Sequence, residues 1–392
     1  MKQSRRDASD RGTPSRRQWL VAAGQVGAGA LLASCAPAAV PATAPPAPAA
    51  SANAAWEQEW EDTVAAAKKE GKLALVTLSG AGYRKGVEVF EKTFPGITVE
   101  HTGLASFSAF VPKVAEERKA GIYNWDATDA PALTGLGSLK PAGTFDPVRP
   151  LLIRPDVKED KNWRGGFEYG WLDKEKQFAY GFAIRDGHLF WINTDQVSAA
   201  ELKSGRDLLN PKWKGKIIMA EAYTSGFTYT AAVPLRKHYG DAFLKQLFVD
   251  QEPIYSQDPR RIMEEMVRGK FAIATGVNYA GLQEFTAQGL GKTIELVKIP
   301  EARFVSESPV WLFNKAPHPN AAKLFVNWLL TKDGQTAWTE NIQQNSRRTD
   351  VTPFDPSAIL GSGQENSAVR VHIEETQPYV QETRDLLKKL LT

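Results

Sequence analysis

Residues 73–101 read Leu-Ala-Leu-Val-Thr-Leu-Ser-Gly-Ala-Gly-Tyr-Arg-Lys-Gly-Val-Glu-Val-Phe-Glu-Lys-Thr-Phe-Pro-Gly-Ile-Thr-Val-Glu-His. The apolar run at 73–78 is typical of a buried strand, and residues 82–94 have the pattern of a helix that Pro95-Gly96 ends. A second strand is predicted at 97–101. A strand, a helix and a strand in this order predict an α/β sheet with right-handed crossovers.

The same alternation continues along the chain. About 337 residues follow residue 55, which is more than one core comfortably takes and therefore indicates two lobes. The predicted helices are 56–70, 107–119, 225–239 (interrupted by Pro234), 241–249, 258–268, 320–330 and a last one from residue 372, and the predicted strands are 178–184, 189–193, 217–220, 271–275, 293–299 and 309–313.

The first 35 residues have the features of a lipoprotein signal peptide. Six basic and two acidic side chains lie in residues 1–19, and the apolar run at 20–32 is too short to span a bilayer. The run leads into Leu32-Ala-Ser-Cys35, and Cys35 is the only cysteine of the chain, so no intrachain disulfide can form. The sequence predicts cleavage after residue 34 and lipidation of Cys35, and an ordinary secretory signal is the alternative.

The export route and the charge of the mature chain follow from the same segment. Arg16-Arg17, followed by Gln-Trp-Leu, resembles a twin-arginine export motif, with general secretion as the alternative. Residues 36–55 are nearly all Ala and Pro, which predicts an extended tether. The full chain carries a net charge of +3, but removal of residues 1–34 leaves it near −1, so nothing indicates a nucleic-acid partner. We expect an extracytoplasmic protein anchored to the cell membrane by lipid only.

Several segments resemble the solute-binding proteins of bacterial ABC importers, in the branch that contains ferric-iron, thiamine and phosphonate binders. The most specific is Arg206-Asp-Leu-Leu-Asn-Pro-Lys-Trp-Lys-Gly-Lys-Ile217; Phe90-Glu-Lys-Thr-Phe-Pro-Gly-Ile-Thr-Val99, Thr224-Ser-Gly-Phe227 and residues 320–335 are also similar to family segments. The resemblance implies a type II periplasmic-binding-protein-like α/β fold. Each of its two lobes would be a mixed sheet flanked by helices, with the ligand cleft between them.

The resemblance also implies a domain division and a role. Lobe one is expected to comprise residues 56–142 and 298–343, and lobe two residues 143–297, with C-terminal helices at 344–392 packing on lobe two. The protein would be a monomeric, non-enzymatic carrier without a cofactor. It would capture a small solute and deliver it to an ABC permease in the cytoplasmic membrane.

Two segments carry the main candidate ligand contacts. Ser79 and Gly80 follow the first strand, where open α/β sheets bind ligands. Ser225, Gly226 and Phe227 begin a predicted helix, whose N-terminal N–H groups and dipole suit a carboxylate, phosphate or phosphonate. An ordinary turn and a simple helix cap are the respective alternatives.

The remaining candidates are single polar or aromatic side chains. Thr128 and Asp129 would bind an ammonium or hydroxyl group, Arg185 an anion, and Tyr223 and Tyr279 a stacked ligand. Core packing is the alternative for the two tyrosines, and a surface position is the alternative for Arg185. Asn278, which precedes Tyr279, is included in the candidate site.

Iron requires a separate test, because ferric binders of this family use a tandem tyrosine pair. The matching segment here, Val277-Asn-Tyr-Ala280, has only Tyr279, and Tyr83 and Arg84 stand where some relatives have a histidine. The five histidines show no metal-ligand spacing. The sequence therefore predicts an anionic or zwitterionic organic solute, with Fe3+ as the transported ligand, bound by Tyr279 and a synergistic anion, as the alternative.

An extracytoplasmic α/β enzyme is the rival of a different class. The sequence contains no Gly-x-Ser-x-Gly elbow, phosphate loop, dinucleotide fingerprint or His-Glu-x-x-His motif. These absences favour the binding protein.

Overall fold

The computed structural model describes residues 49–223, 226–277, 279–361, 363–364 and 367–392. The predicted signal peptide, the lipidation site Cys35, most of the Ala/Pro tether, and Ser225 and Asn278 lie outside these residues. The strands are β1 Lys72–Leu78, β2 Thr98–Leu104, β3 Ala127–Thr128, β4 Phe145–Asp146, β5 Tyr180–Gly187, β6 Phe190–Asn193, β7 Ile217–Ala220, β8 Ile254–Ser256, β9 Ile273–Thr275, β10 Ile294–Val297, β11 Phe304–Phe313 and β12 Val369–Arg370.

The helices lie mainly between the strands, as the sequence pattern predicts. They are α1 Ala49–Glu70, α2 Ala81–Thr93, α3 Phe110–Lys119, α4 Ala132–Thr134, α5 Pro155–Lys158, α6 Gly226–Tyr239, α7 Asp241–Lys245, α8 Pro259–Val267, α9 Tyr279–Thr286, α10 Pro319–Leu329, α11 Lys332–Asn341 and α12 Gln377–Leu391. None of these helices is both long enough and apolar enough to span a bilayer within the described residues.

The first sheet has the strand order β12-β11-β3-β1-β2, and β4 and β5 also pair with β11. β1 runs parallel to β2 and β3, whereas β11 runs antiparallel to β3, β4 and β5. The apolar run of β1 is buried because α1, α2 and α10 share one core with it, in which Phe90 and Phe325 meet edge to face at 5.4 Å.

The second sheet has the order β10-β6-β9-β7-β8. β7 is parallel to β8 and β9, and β6 is antiparallel to β9 and β10. Its core includes Met219 and Phe248 together with Val380 and Leu387 of the last helix. The C-terminal helix therefore packs on the elements of the second sheet.

The chain passes between the sheets at two places. β5 belongs to the first sheet and β6 to the second, and β10 belongs to the second sheet and β11 to the first. The division between the sheets therefore falls after β5 and does not coincide with the predicted start of lobe two at residue 143. The physical reason is the long antiparallel pairing of β5 with β11, which retains β4 and β5 in the first sheet.

Several predicted elements differ from the structure in extent. Helix α1 begins at Ala49, seven residues before the predicted helix, so residues 49–55 of the predicted extended tether are helical. α6 continues through Pro234 instead of being interrupted there. β11 begins at Phe304, five residues before the predicted strand, and its register shifts between Ser308 and Pro309. The last helix begins at Gln377 because the short strand β12 and a 3-10 turn come before it.

Candidate functional site

A cavity of about 460 Å³ lies between β5 and β11 of the first sheet and the first turns of α6. Leu78 at the end of β1 also lines it, as does the segment after α11. Its other lining residues include Pro131, Leu133, Ile184, Tyr229, Thr230, Phe304, Ser306, Ser308, Gln343, Gln344 and His372. Apolar walls with a few polar groups are the usual character of a small-molecule site.

A smaller cavity of about 190 Å³ adjoins the larger one around the turn from β5 to β6. Arg185, Asp355 and Ala358 line both cavities. A third, more open space of about 700 Å³ shares Pro131, Leu133 and Tyr229 with the larger cavity and extends towards α12. We call the three spaces together the cleft.

Arg185 and Asp355 bring opposite charges to the junction of the two inner cavities. Arg185 is partly buried in the middle of β5, and burial lowers the pKa of its guanidinium while the negative charge of Asp355 raises it. Arginine remains charged throughout the physiological range. The junction therefore presents one cation beside one carboxylate.

The wall next to the larger cavity contains a buried acid with its own basic partner. Glu307 is 3% exposed, and Arg370 of β12 donates from Nε to its Oε1 at 2.7 Å. His372 lies 3.0 Å from the carbonyl oxygen of Glu307 through Nδ1, and burial lowers the pKa of this histidine. Glu307 is thus neutralised within the wall, and His372 faces the cavity as a neutral ring.

Of the predicted contacts at the ends of β1 and β3, some are exposed next to the larger cavity and one is buried in the protein. Ser79 and Gly80 are exposed next to Leu78, which lines the larger cavity. Thr128 is fully buried, and its hydroxyl accepts a hydrogen bond from the backbone N–H of Ala130 at 3.0 Å, which is a structural role.

Asp129 lies beside the hydroxyl of Tyr83 at the carboxyl end of β3. Burial raises the pKa of the Asp129 carboxyl to about 8, and the interaction with Tyr83 opposes this shift. Its Oδ1 is buried and has no hydrogen-bond partner in the part of the chain that the structure describes. The group is therefore largely protonated at neutral pH, which does not favour the predicted contact with an ammonium group.

Four tyrosines could supply a phenolate oxygen to iron, but the structure gives them different surroundings. Tyr279 lines the smaller cavity and is 40% exposed, whereas Tyr229 lines the larger one. Tyr223 donates to a carboxylate oxygen of Glu221 at 3.1 Å, and Tyr255 donates to the carbonyl oxygen of Phe248 at 2.6 Å. Among the described residues, no group of three His, Cys, Asp or Glu side chains is arranged to hold a metal ion.

The predicted anion site at the start of α6 is described only in part. Gly226 is the first residue of this helix, and Tyr229 and Thr230 in its first turns line the larger cavity. The positive end of the helix dipole is therefore near this cavity. Ser225 and Asn278 lie outside the described residues, and the side chain of Phe227 is not described either.

Sequence reasoning missed the contribution of the segment after α11. Asn345, Asp355 and His372 line or support the cleft, although they are far in sequence from the other site residues. Ser306 and Ser308 were also missed, because these polar residues interrupt the apolar pattern and the first half of β11 was not predicted as a strand. No local motif marks any of these residues.

The family model for bacterial extracellular solute-binding proteins matches residues 85–356, which is more than half of the chain. The chain belongs to this family. The members of this family are solute-binding proteins and not enzymes, which confirms the predicted non-enzymatic class of this chain, and the family description indicates no cofactor.

Two curated relatives share part of the sequence. An uncharacterized protein of Haemophilus influenzae is 26% identical over 185 residues, which cover 43% of this solute-binding protein and 52% of the relative. Iron uptake protein A2 of Synechocystis sp. is 21% identical over 229 residues, which cover 55% and 62% of the two chains. The chain thus spans between half and two thirds of the length of these relatives.

Solved structures of low sequence identity share the fold. Iron-bound HitA from Pseudomonas aeruginosa has a TM-score of 0.60 at 18% identity, with 82% of this chain and 99% of HitA covered. Apo FutA2 from Synechocystis has a TM-score of 0.63 at 16% identity, with 82% of this chain and 98% of FutA2 covered. The spermidine/putrescine ABC transporter substrate-binding protein PotD from Streptococcus pneumoniae has a TM-score of 0.59 at 14% identity, with 81% of this chain and 98% of PotD covered. The two sheets with flanking helices are those of a type II periplasmic binding protein, as predicted.

Proposed function

We propose that this protein is the substrate-binding lipoprotein of an ABC importer and that it captures a small zwitterionic or anionic organic solute. The observation that carries the proposal is the placement of Arg185 and Asp355 at the junction of the inner cavities. A carboxylate of the solute would pair with Arg185, and an ammonium group with Asp355. Charge-assisted contacts of this kind are roughly twice as strong as neutral ones.

The size of the cleft supports an organic solute. The larger cavity, of about 460 Å³, lies within the range of typical small-molecule sites. Its apolar walls at Leu133, Tyr229 and Phe304 would hold the uncharged body of the solute. The first turns of α6 add the attraction of a helix N-terminus for an anion.

Ferric iron is the second candidate, and it is favoured by the relatives. HitA was solved with iron bound, and one curated relative is named an iron uptake protein. Against it, Tyr279 and Tyr229 line different cavities, and Tyr223 and Tyr255 donate their hydroxyls to other groups. An organic solute is therefore our choice.

Export, anchoring and delivery complete the proposal. A lipid on Cys35 and the Ala/Pro tether would hold a monomer outside the cytoplasm and near a permease of the cytoplasmic membrane. The support for these steps is the signal-like N-terminal sequence and the family of the chain.

A thermal-shift screen followed by calorimetry tests the solute class. The screen includes amino acids, small carboxylates, phosphonates, thiamine, polyamines and ferric salts with and without carbonate. We expect a zwitterion or carboxylate to bind, and Arg185→Gln to weaken it roughly tenfold to a hundredfold through the lost charged contact. Arg261→Gln is the control, because Arg261 is exposed and its guanidinium lies 3.9 Å from the carboxylate of Glu265.

Two results would contradict the proposal. One is unchanged affinity in Arg185→Gln. The other is tight ferric binding with a tyrosinate charge-transfer band that disappears in Tyr279→Phe, which would establish the iron alternative.

A further inference from the structure

One wall of the larger cavity is a polar face of the β5–β11 pair. Ser306 and Ser308 lie two positions apart in β11, and alternate side chains of a strand point to the same face of a sheet. The residue of β5 opposite Ser306 is Arg185, which also lines the cavity. Two hydroxyl groups therefore lie on the same face of the sheet as the side chain of Arg185.

The two hydroxyl groups differ in their partners. The hydroxyl of Ser308 donates to Oε1 of Gln344 at 2.8 Å, which leaves the amide N–H groups of Gln344 as donors. Ser306 is half-buried, and its hydroxyl is accessible and has no hydrogen-bond partner within the part of the chain that the structure describes. Both Ser306 and Gln344 line the larger cavity, so each can contact a group placed there.

The backbone of Gln343, just after α11, is in the left-handed region with a φ of +57°. The N–H of Gln343 donates to the carbonyl oxygen of Glu340 at 3.3 Å, and that of Gln344 donates to the carbonyl oxygen of Thr339 at 2.9 Å, which is a Schellman cap. Glycine is the usual residue at the left-handed position of this cap, because a Cβ is unfavourable there. The cap therefore does not require a glutamine. Since Gln343 lines the larger cavity, its unfavourable backbone conformation indicates a function for its side chain.

The side of the cavity that faces this polar wall belongs to α6, and there Tyr229 contributes an aromatic ring. A solute with hydroxyl groups on one side of its chain and C–H groups on the other would match both walls. The volume of about 460 Å³ exceeds the roughly 150 Å³ that is enough for benzene. The larger cavity therefore has room for a short carbon chain that carries several hydroxyl groups.

We propose that Ser306, Gln343 and Gln344 determine a specificity for hydroxyl groups, and that the solute is a hydroxylated carboxylate. Its carboxylate pairs with Arg185, and its hydroxyl groups form hydrogen bonds with Ser306 and the two side-chain amides, of which Ser308 orients that of Gln344. The inference rests on the proposed function in one respect, namely that the carboxylate pairs with Arg185. An analogue without the hydroxyl groups leaves the polar side chains unpaired, and a site built for a hydroxyl group rejects such an analogue.

Gluconate and hexanoate are the probes that test this specificity, because they have the same number of carbon atoms and the same charge and differ in the hydroxyl groups. Each is titrated into the purified protein by calorimetry. We expect gluconate to bind about tenfold or more tightly than hexanoate, which is the effect of two or more hydrogen bonds. Ser306→Ala should weaken gluconate binding about threefold to tenfold. It should leave the affinity for hexanoate unchanged, which shows that the cavity is intact.

Gln343→Gly separates the function of the side chain from that of the backbone. Glycine is favoured at the left-handed position, so the midpoint of thermal unfolding should be retained or rise. The affinity for gluconate should nevertheless fall about threefold to tenfold, because a hydrogen bond is lost. Glu252→Gly is the matched control, since Glu252 also has a positive φ, of +50°, and lines none of the three spaces of the cleft. It should leave the affinity for gluconate unchanged.

Three results overturn the inference. They are equal or tighter binding of hexanoate, binding of neither probe, and an affinity for gluconate that is unchanged in both Ser306→Ala and Gln343→Gly.

The two proposals fail separately. If hexanoate binds as tightly as gluconate and Arg185→Gln weakens both, the hydroxyl specificity is wrong and the proposed function stands. If gluconate is preferred and Ser306→Ala reduces this preference, but Arg185→Gln leaves the affinity unchanged, the proposed function is wrong and the hydroxyl specificity stands.

Discussion

Asn345 and Asp355 are joined by two reciprocal hydrogen bonds. The side-chain amide of Asn345 donates to the carbonyl oxygen of Asp355 at 2.8 Å, and its Oδ1 accepts from the backbone N–H of Asp355 at 2.8 Å. The same amide donates to the carbonyl oxygen of Ala358 at 3.1 Å. One buried side chain therefore fixes the loop that places a carboxylate beside Arg185.

Replacement of Asn345 by Ala should loosen this loop. Loss of the amide removes the Asn345 partner of the backbone N–H of Asp355 and of the carbonyl oxygen of Ala358, and each buried group left unsatisfied costs about 1–3 kcal/mol. We expect a lower midpoint of thermal unfolding and weaker solute binding, measured by calorimetry. Asn124→Ala, at an exposed position, is the control and should change neither quantity. Unchanged binding in Asn345→Ala would show that the loop does not order the site.

The ion pair between Arg303 and Asp186 should contribute more to stability than the one between Arg260 and Glu284. The side chains of the first pair are 14% and 10% exposed, and those of the second are 66% and 56% exposed. Arg303→Gln should lower the free energy of unfolding by about 3 kcal/mol, because it leaves a buried carboxylate unpaired. Arg260→Gln should lower it by less than about 1 kcal/mol. Denaturant titration of both variants measures the difference, and equal losses would contradict the prediction.

Asp129 should make stability depend on pH. Burial raises the pKa of its carboxyl from 3.8 to about 8 in the folded protein, so the folded state holds this proton more tightly than the unfolded chain. The stabilisation from this group is fully present below about pH 4 and is lost as the pH rises to about 8. The free energy of unfolding of the wild type, relative to that of Asp129→Asn, should therefore decrease as the pH rises from about 4 to about 8.

Thermal unfolding of both proteins at several pH values tests whether the relative stability decreases as the pH rises. Asp195→Asn is the control, because Asp195 is exposed and should show no comparable trend. The interpretation of Asp129 is wrong if the stability of the wild type, relative to that of Asp129→Asn, increases as the pH rises. Tyr83, the group beside it, keeps its proton across this range because burial raises its pKa further above the usual value.

The N-terminal signal can be tested in cells. Cys35→Ser should release the mature protein from the membrane fraction, because the lipid would be its only anchor. Immunoblots of the fractions measure the change, and protein that stays equally membrane-bound would contradict lipidation. Replacement of Arg16 and Arg17 by Lys should block export if the twin-arginine route is used, whereas undiminished export would exclude that route alone.

Much of the fold could be predicted because its central strands are continuous apolar runs. β7, Ile217–Ala220, was predicted with its observed bounds, since buried parallel strands need no polar face. α6 was predicted to break at Pro234, but the residues around it, from Ala231 to Leu235, are almost fully buried. Packing on this scale offsets the loss of one helical hydrogen bond.

Less of the site could be predicted, because its residues come together only in the folded chain. Arg185 was identified by its charge, but Asp355, which lies beside it, is 170 positions away. Asn345 carries no motif, since its function is to bind the backbone of a distant loop. The environment that raises the pKa of Asp129 also arises from tertiary packing and leaves no trace in the local sequence.

The segment after α11 joins the two sheets a third time. β12 pairs with β11 of the first sheet, and α12 packs against α6 beside the second. Any rotation of one sheet relative to the other must bend this segment together with the crossings after β5 and β10. A hinge motion that opens or closes the cleft would therefore act on three connections at once, and the segment after α11 would have to move with the sheets.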